Sequence, residues 1–224
     1  MTAATPAGLP RLRIGLLMYD DVELLDHAGP YEVFTTAQRM TTRADVQPAP
    51  ACGFEVVSLA VAAGLVRARA GLRLLPDATL DAVPPLDVLI VPGGVVDRVR
   101  ADAAVRDWLR RTAPGLRALA SVCTGAFVLA DAGLLAAGTR CTTHWEDLAD
   151  LRRDHPALDV IGDRHGGPRW VAARTVDGTP LWTSAGIAAG IDLALHLVAT
   201  FAGRALAVRT ARQMDVPWCE DPGP

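Results

Sequence analysis

The chain has 224 residues, 50% of them hydrophobic and 21% charged, with a formal net charge of −3. The apolar half is enough to bury a core and excludes disorder over most of the length. The near balance of charge excludes the clustered basic excess of a dedicated nucleic-acid binder, and because all 22 basic residues are Arg, Schiff-base lysine chemistry and a phosphate-loop lysine are excluded as well.

Residues 1–10 contain Pro6 and Pro10 and no charged start, so they read as a loose tail and not as a secretory signal. Residues 12–18 form a short apolar run that predicts a buried strand ending at Tyr19-Asp20-Asp21. Over residues 23–39 the apolar positions fall at helical spacing, with Gly29-Pro30 predicting a short turn before the main helix. Residues 54–61 predict a second strand, and the Arg alternation over 65–75 predicts short, half-exposed strands. A strand over 87–91 stops at Pro92-Gly93-Gly94, and an amphipathic helix follows over 102–111. Residues 116–122 predict a strand and 124–132 a helix ended by Gly133, with a further helix over 144–153. Strands over 170–174 and 181–183 flank the turn Asp177-Gly178, and the apolar run 187–202 predicts a buried helix. The stretch 162–180, with Gly166-Gly167-Pro168, predicts a surface hairpin or part of a lid.

Strands alternating with helices predict one α/β domain over residues 11–215, its mostly parallel sheet covered by helices on both faces, followed by a tail over 216–224. The most apolar stretch, 118–137, is broken by Cys123, Thr124, Gly125 and Asp131 and reads as strand, turn and helix, not as a membrane span. The cysteines are Cys52, Cys123, Cys141 and Cys219, with no C-x-x-C pair, so no structural zinc is expected. A cytoplasmic protein with reduced thiols is expected.

In such sheets ligands bind beyond the carboxyl ends of the strands. Three strand ends carry chemistry. At the first, Asp26 lies among Leu24, Leu25 and Ala28, where a carboxyl holds its proton and can serve as a general acid or base. A helix N-cap is the alternative reading. At the second, Gly93-Gly94 can aim backbone N–H groups outward as half of an oxyanion hole, or can simply form a turn. At the third, the apolar strand runs into Cys123-Thr124-Gly125-Ala126, the sequence form of a nucleophile elbow. There the helix dipole should lower the thiol pKa and favour thiolate, although a buried structural cysteine also fits. His144 is placed to orient or activate that thiol, or to act as a hydrogen-bonded structural residue. His155 and His165 read as surface residues, Asp192 and His196 as packing and capping, and Trp108, Trp170 and Trp182 as core.

Pro92-Gly93-Gly94, then Ser121-Val122-Cys123-Thr124-Gly125-Ala126, then Thr142-Thr143-His144-Trp145 resemble the ThiJ/PfpI superfamily, whose fold is class I glutamine amidotransferase-like. Leu25-Asp26 with Gly29-Pro30-Tyr31-Glu32-Val33-Phe34 is similar to its isocyanide-hydratase-like branch, and Trp182-Thr183-Ser184-Ala185-Gly186 extends the match. The resemblance runs from about Arg13 to Phe201. It implies a flavodoxin-like three-layer sandwich, a homodimer, Cys123 as nucleophile, Asp26 as its acidic partner, and Gly94 and Thr124 as nearby backbone donors. No cofactor is expected. Thr124 stands where the protease branch has His, which argues against a peptidase.

The resemblance also extends to the N-terminal domain of AraC-type transcription regulators. Residues 202–224 are too short for the helix-turn-helix module that follows it there, so no direct contact with nucleic acid is expected. Three functions are therefore in view: hydration of a small carbon–nitrogen or carbonyl compound by a cysteine enzyme, ligand sensing without turnover, and a redox-responsive thiol.

Overall fold

The computed structural model describes residues 8–163, 165–218 and 220. The expected tails fall partly outside them, at residues 1–7 and 221–224, as does Cys219. The strands are β1 (Arg11–Met18), β2 (Gly53–Ala60), β3 (Val66–Arg67), β4 (Arg73–Leu74), β5 (Ala78–Thr79), β6 (Val88–Val91), β7 (Ala118–Val122), β8 (Arg140–Cys141), β9 (Asp159–Val160), β10 (Trp170–Arg174) and β11 (Pro180–Ser184). The helices are α1 (Leu24–Met40), α2 (Asp97–Ala101), α3 (Ala103–Thr112), α4 (Gly125–Asp131), α5 (Leu148–Asp154), α6 (Ala189–Ala202) and α7 (Arg204–Met214).

Seven strands form one sheet in the order β10-β11-β7-β6-β1-β2-β5. All neighbours are parallel except β10, which returns antiparallel beside β11. The expected mostly parallel, flavodoxin-like sandwich is what forms. The central strands show why: successive side chains alternate between two separate cores. Ile14 and Leu16 of β1, Ile90 of β6 and Val122 of β7 point to the α1, α6 and α7 side. Leu17, Leu89 and Leu119 point to the side covered by α3, α4 and α5. Since both faces are dry, these strands are nearly continuous apolar runs.

Several elements depart from the sequence expectation. Gly29-Pro30 does not separate a turn from the main helix: α1 is continuous, with Pro30 inside it. Gly29, Pro30, Val33, Phe34 and Ala37 are all buried along it, so packing outweighs the lost helical hydrogen bond. Helix α7 was not foreseen; it packs against α1 and α6 with Leu206, Ala207, Thr210 and Ala211 buried. His155 is not a surface residue: its Nε2 lies 3.0 Å from Asp131 Oδ1, whose other oxygen accepts from Arg100 Nε at 2.6 Å. Trp108 and Trp170 are core, but Trp182 is only half-buried. Asp192 pairs with Arg169, and the His196 ring lies tilted against that of Trp170, their centres 3.9 Å apart.

At its far border the sheet is finished by side chains. β5 covers only Leu59 and Ala60 of β2. Further back along β2, Gln38 Oε1 accepts the Phe54 N–H at 2.7 Å and Asp77 Oδ2 accepts the Ser58 N–H at 2.8 Å.

Candidate active site

The chain leaves β1 for β2 on one side, then returns to β6 on the other, so the sheet order reverses between β1 and β6. That switch point is where an open α/β sheet makes its crevice. Asp26, Gly93-Gly94 and Cys123 converge there from the ends of β1, β6 and β7.

Cys123 has φ +56°, a left-handed conformation that costs a non-glycine residue energy and holds only where its surroundings insist on it. They do so here. The Cys123 N–H donates to Ser184 O at 3.1 Å, and its carbonyl accepts the Thr143 hydroxyl at 2.8 Å. The next residue but one must be small: a Cβ on Gly125 would stand 2.1 Å from Val91 O. The backbone at Cys123 has the sharp turn of an elbow, and the residue is 6% exposed.

Asp26 is fully buried. It does not cap α1; Glu23 precedes the helix, and Asp26 lies in its first turn. Oδ2 accepts the Gly93 N–H at 3.0 Å, and Oδ1 has no hydrogen bond of ordinary geometry. Burial pushes its pKa from 3.8 up to about 7; the Gly93 N–H, the Cys123 thiol and the Ile187 N–H favour the charged form without offsetting that burial.

The thiol runs against expectation. Burial and then the Asp26 charge push Cys123 from 9.0 up to about 12, while the N–H groups of Thr124 and Ile187 act in the other direction. The helix dipole loses because α4 is only seven residues long and the sulfur is removed from water. Burial thus disfavours the charged form of both groups, and the sulfur and the carboxyl titrate as a coupled pair.

The glycine donors also differ from the expected arrangement. The Gly93 N–H is spent on Asp26, and the Gly94 N–H donates to Thr124 Oγ1 at 2.9 Å. The Thr124 hydroxyl in turn donates to Gly94 O at 3.0 Å. Gly94 has φ +137°, and a Cβ there would lie 2.4 Å from Asp21 O, so no other residue fits this turn. The donor beside Thr124 that sequence reading missed is Ile187. It is a β-branched residue at φ +43° just beyond β11, and only the apolar run starting at 187 marked it. Tyr19 was missed as well: its buried hydroxyl donates to Pro92 O at 2.7 Å and fixes the turn that carries Gly93.

His144 joins the site at its mouth. Its Nδ1 lies 3.3 Å from Asp147 Oδ2 and 3.9 Å from Glu146 Oε2. A cavity of about 210 Å³ opens over Cys123, lined by Glu23, Arg69, Thr124, His144, Asp147 and Ile187 among others. His144 and Ile187 also border a second cavity of about 570 Å³, one wall of which is formed by His165, Gly166, Gly167, Pro168 and Arg169. Within the 162–180 stretch, residues 165–169 therefore form a cavity wall that runs into β10. Among the described residues, no three His, Cys, Asp or Glu side chains are grouped to hold a metal.

A family model described as the DJ-1/PfpI family matches residues 12–200. The chain belongs to this family. Isonitrile hydratase of Pseudomonas putida is 35% identical over 196 residues, covering 86% of this chain and 73% of that protein. The HTH-type transcriptional regulator GbdR of Pseudomonas aeruginosa is 30% identical over 92% of this chain, which spans 52% of the regulator's length. Among solved structures, a ThiJ/PfpI family protein from Pseudomonas syringae matches with TM-score 0.75 and 25% identity over 96% of this chain and 82% of its own. Drosophila melanogaster DJ-1beta shares the DJ-1/PfpI fold, with TM-score 0.72 and 21% identity over 93% of this chain and 100% of its own. No helix among the described residues is long and apolar enough to cross a membrane.

Proposed function

We propose that this DJ-1/PfpI protein hydrates a small isocyanide or related carbon–nitrogen compound, with Cys123 as nucleophile and Asp26 as the proton carrier. The observation that carries the reading is the pairing of a strained-elbow thiol with a buried carboxyl of pKa about 7. A group titrating near the working pH moves protons in both directions. The 35% identity to an isonitrile hydratase supports the substrate class.

In the first step sulfur bonds to the terminal carbon of R–N≡C as the thiol proton passes to Asp26. Asp26 then delivers that proton to the same carbon, leaving a thioimidate, R–N=CH–S–Cys123. Asp26 takes a proton from water as the hydroxyl adds to this carbon and hands it to the nitrogen, giving R–NH–CH(OH)–S–Cys123; the C–S bond then breaks as the hydroxyl proton passes by way of Asp26 to sulfur, and R–NH–CHO departs. The Thr124 and Ile187 N–H groups stabilise sulfur as it gains negative charge. Thr124 also locks the Gly94 turn, and His144 with Gly93 positions the mouth and the carboxyl.

The test is steady-state conversion of a simple alkyl isocyanide to its N-formamide. Cys123→Ala should abolish turnover, and Asp26→Asn should lower kcat by about 10²–10⁴-fold. Wild-type rates in Cys123→Ala would overturn the reading.

A second reading, a ligand-sensing domain without turnover, is favoured by the regulator match over 92% of the chain. Tight small-molecule binding with no product would select it. The redox reading has less support, because burial and the Asp26 charge push the Cys123 thiol up, away from the thiolate that peroxide attacks. A homodimer accompanies the hydratase reading, and sedimentation measures it.

A further inference from the structure

We propose that the pocket over Cys123 selects substrates by charge, with Glu23, Glu146 and Asp147 rejecting anionic molecules in favour of uncharged or cationic ones and Arg69 as a partial counterweight. The proposal rests on the reading that substrate enters this pocket. Its lining holds three carboxylates and one guanidinium. The guanidinium pairs with only one of them, Arg69 Nη1 lying 3.6 Å from Glu23 Oε2 with its side chain 63% exposed, so Glu146 and Asp147 are left without it. Asp147 and Glu146 both lie beside Nδ1 of His144, which lines the same pocket. Asp26 sits beneath the floor with no counter-cation hydrogen-bonded to it.

Size makes this charge count. A cavity of about 210 Å³ corresponds to a cube about 6 Å on edge, which is shorter than the Debye length of about 8 Å at physiological salt. A ligand carboxylate placed there feels every lip charge with little screening. The same influence is visible at the site itself, where Glu23 opposes ionisation of Asp26 and Asp147 opposes ionisation of Cys123. A neutral isocyanide carries no such penalty, and an aminoalkyl one gains.

The experiment compares iodoacetamide with iodoacetate, reagents of nearly equal size that differ by one negative charge. Alkylation of Cys123 in the full chain is followed by peptide mass spectrometry at pH 8 and low salt, with N-acetylcysteinamide as the reference thiol. Cys123 should favour iodoacetamide about tenfold more than the reference does, a difference of about 1.4 kcal/mol. Asp147→Asn should narrow that preference about threefold, Arg69→Ala should widen it, and added salt should narrow it in every variant. A preference equal to that of the reference thiol, or the two variants shifting it in the same direction, overturns the proposal. As a second measurement, kcat/KM for a neutral alkyl isocyanide should exceed that for isocyanoacetate by about tenfold, and equal values also overturn it. Alkylation needs no turnover, so charge-selective labelling without isocyanide hydration overturns the hydratase reading alone, and turnover with uniform labelling and equal kcat/KM overturns the charge proposal alone.

Discussion

Asp26 is a carboxyl the fold holds at a cost. Its pKa is raised in the folded chain from 3.8 to about 7, so between those values the native state binds a proton that the unfolded chain has lost. The associated stability is fully present below about pH 4, declines through the window and is gone above about pH 7. At about 1.4 kcal/mol per decade of acidity, this group costs about 4 kcal/mol at pH 8 relative to pH 4. Asp26→Asn keeps an acceptor for the Gly93 N–H and discards the charge. The variant should be more stable than wild type by a few kcal/mol at pH 8 and about equal at pH 4, as measured by urea denaturation. A gain of the same size at both pH values would contradict this account. At this scale the sequence revealed which residues meet but not how they titrate. The position of Cys123 before a helix suggested an acidic thiol, whereas its acidity follows from depth and from Asp26, and depth is a property of the assembled sheet.

Individual elements were legible where one local signal dominated. The helix expected over 102–111 forms as α3, one residue later at each end, and the Asp102 carboxylate caps it by accepting from Ala104 N at 2.9 Å and Val105 N at 3.4 Å. Asp102→Ala should cost about 1 kcal/mol in a denaturation experiment, with no change in Cys123 chemistry. Legibility failed where tertiary packing overrode the local signal. Pro30 marks a helix break in isolation, but the buried face of α1 carries the helix through it. Helix α7 was hidden by Arg204, Arg209 and Arg212, which gave residues 202–224 the look of a polar tail. Its buried positions, Leu206, Ala207, Thr210 and Ala211, are a single stripe on a helix whose other faces are charged. The strands of two residues, such as β8 and β9, carry no periodicity that a sequence could display.

The architecture of the whole molecule was readable because alternation of strand and helix leaves few ways to cover a parallel sheet. Two interiors follow from a sheet covered on both faces; which side chains fill each had to come from the structure. The sheet divides them, with Ile14 in one and Leu129 in the other, both fully buried. Ile14→Val should cost about 1 kcal/mol and Leu129→Ala about 3 kcal/mol. With no shared neighbours the double variant should add to within about 0.5 kcal/mol in chemical denaturation, and a larger coupling would mean that the two faces communicate through the sheet. The same division explains why the site is assembled from three strand ends and not from one interior: only the rim is reachable from both sides.

The border of β2 has a bearing on the chain's behaviour in crowded solution. An open strand flank invites a second molecule to continue the ladder, the first step towards fibrillar deposits. Here Gln38 and Asp77 occupy the Phe54 and Ser58 amides before any neighbour can. Two polar side chains borrowed from adjoining segments thus act as a stopper, taking up ladder donors on a flank that β5 is too short to shield.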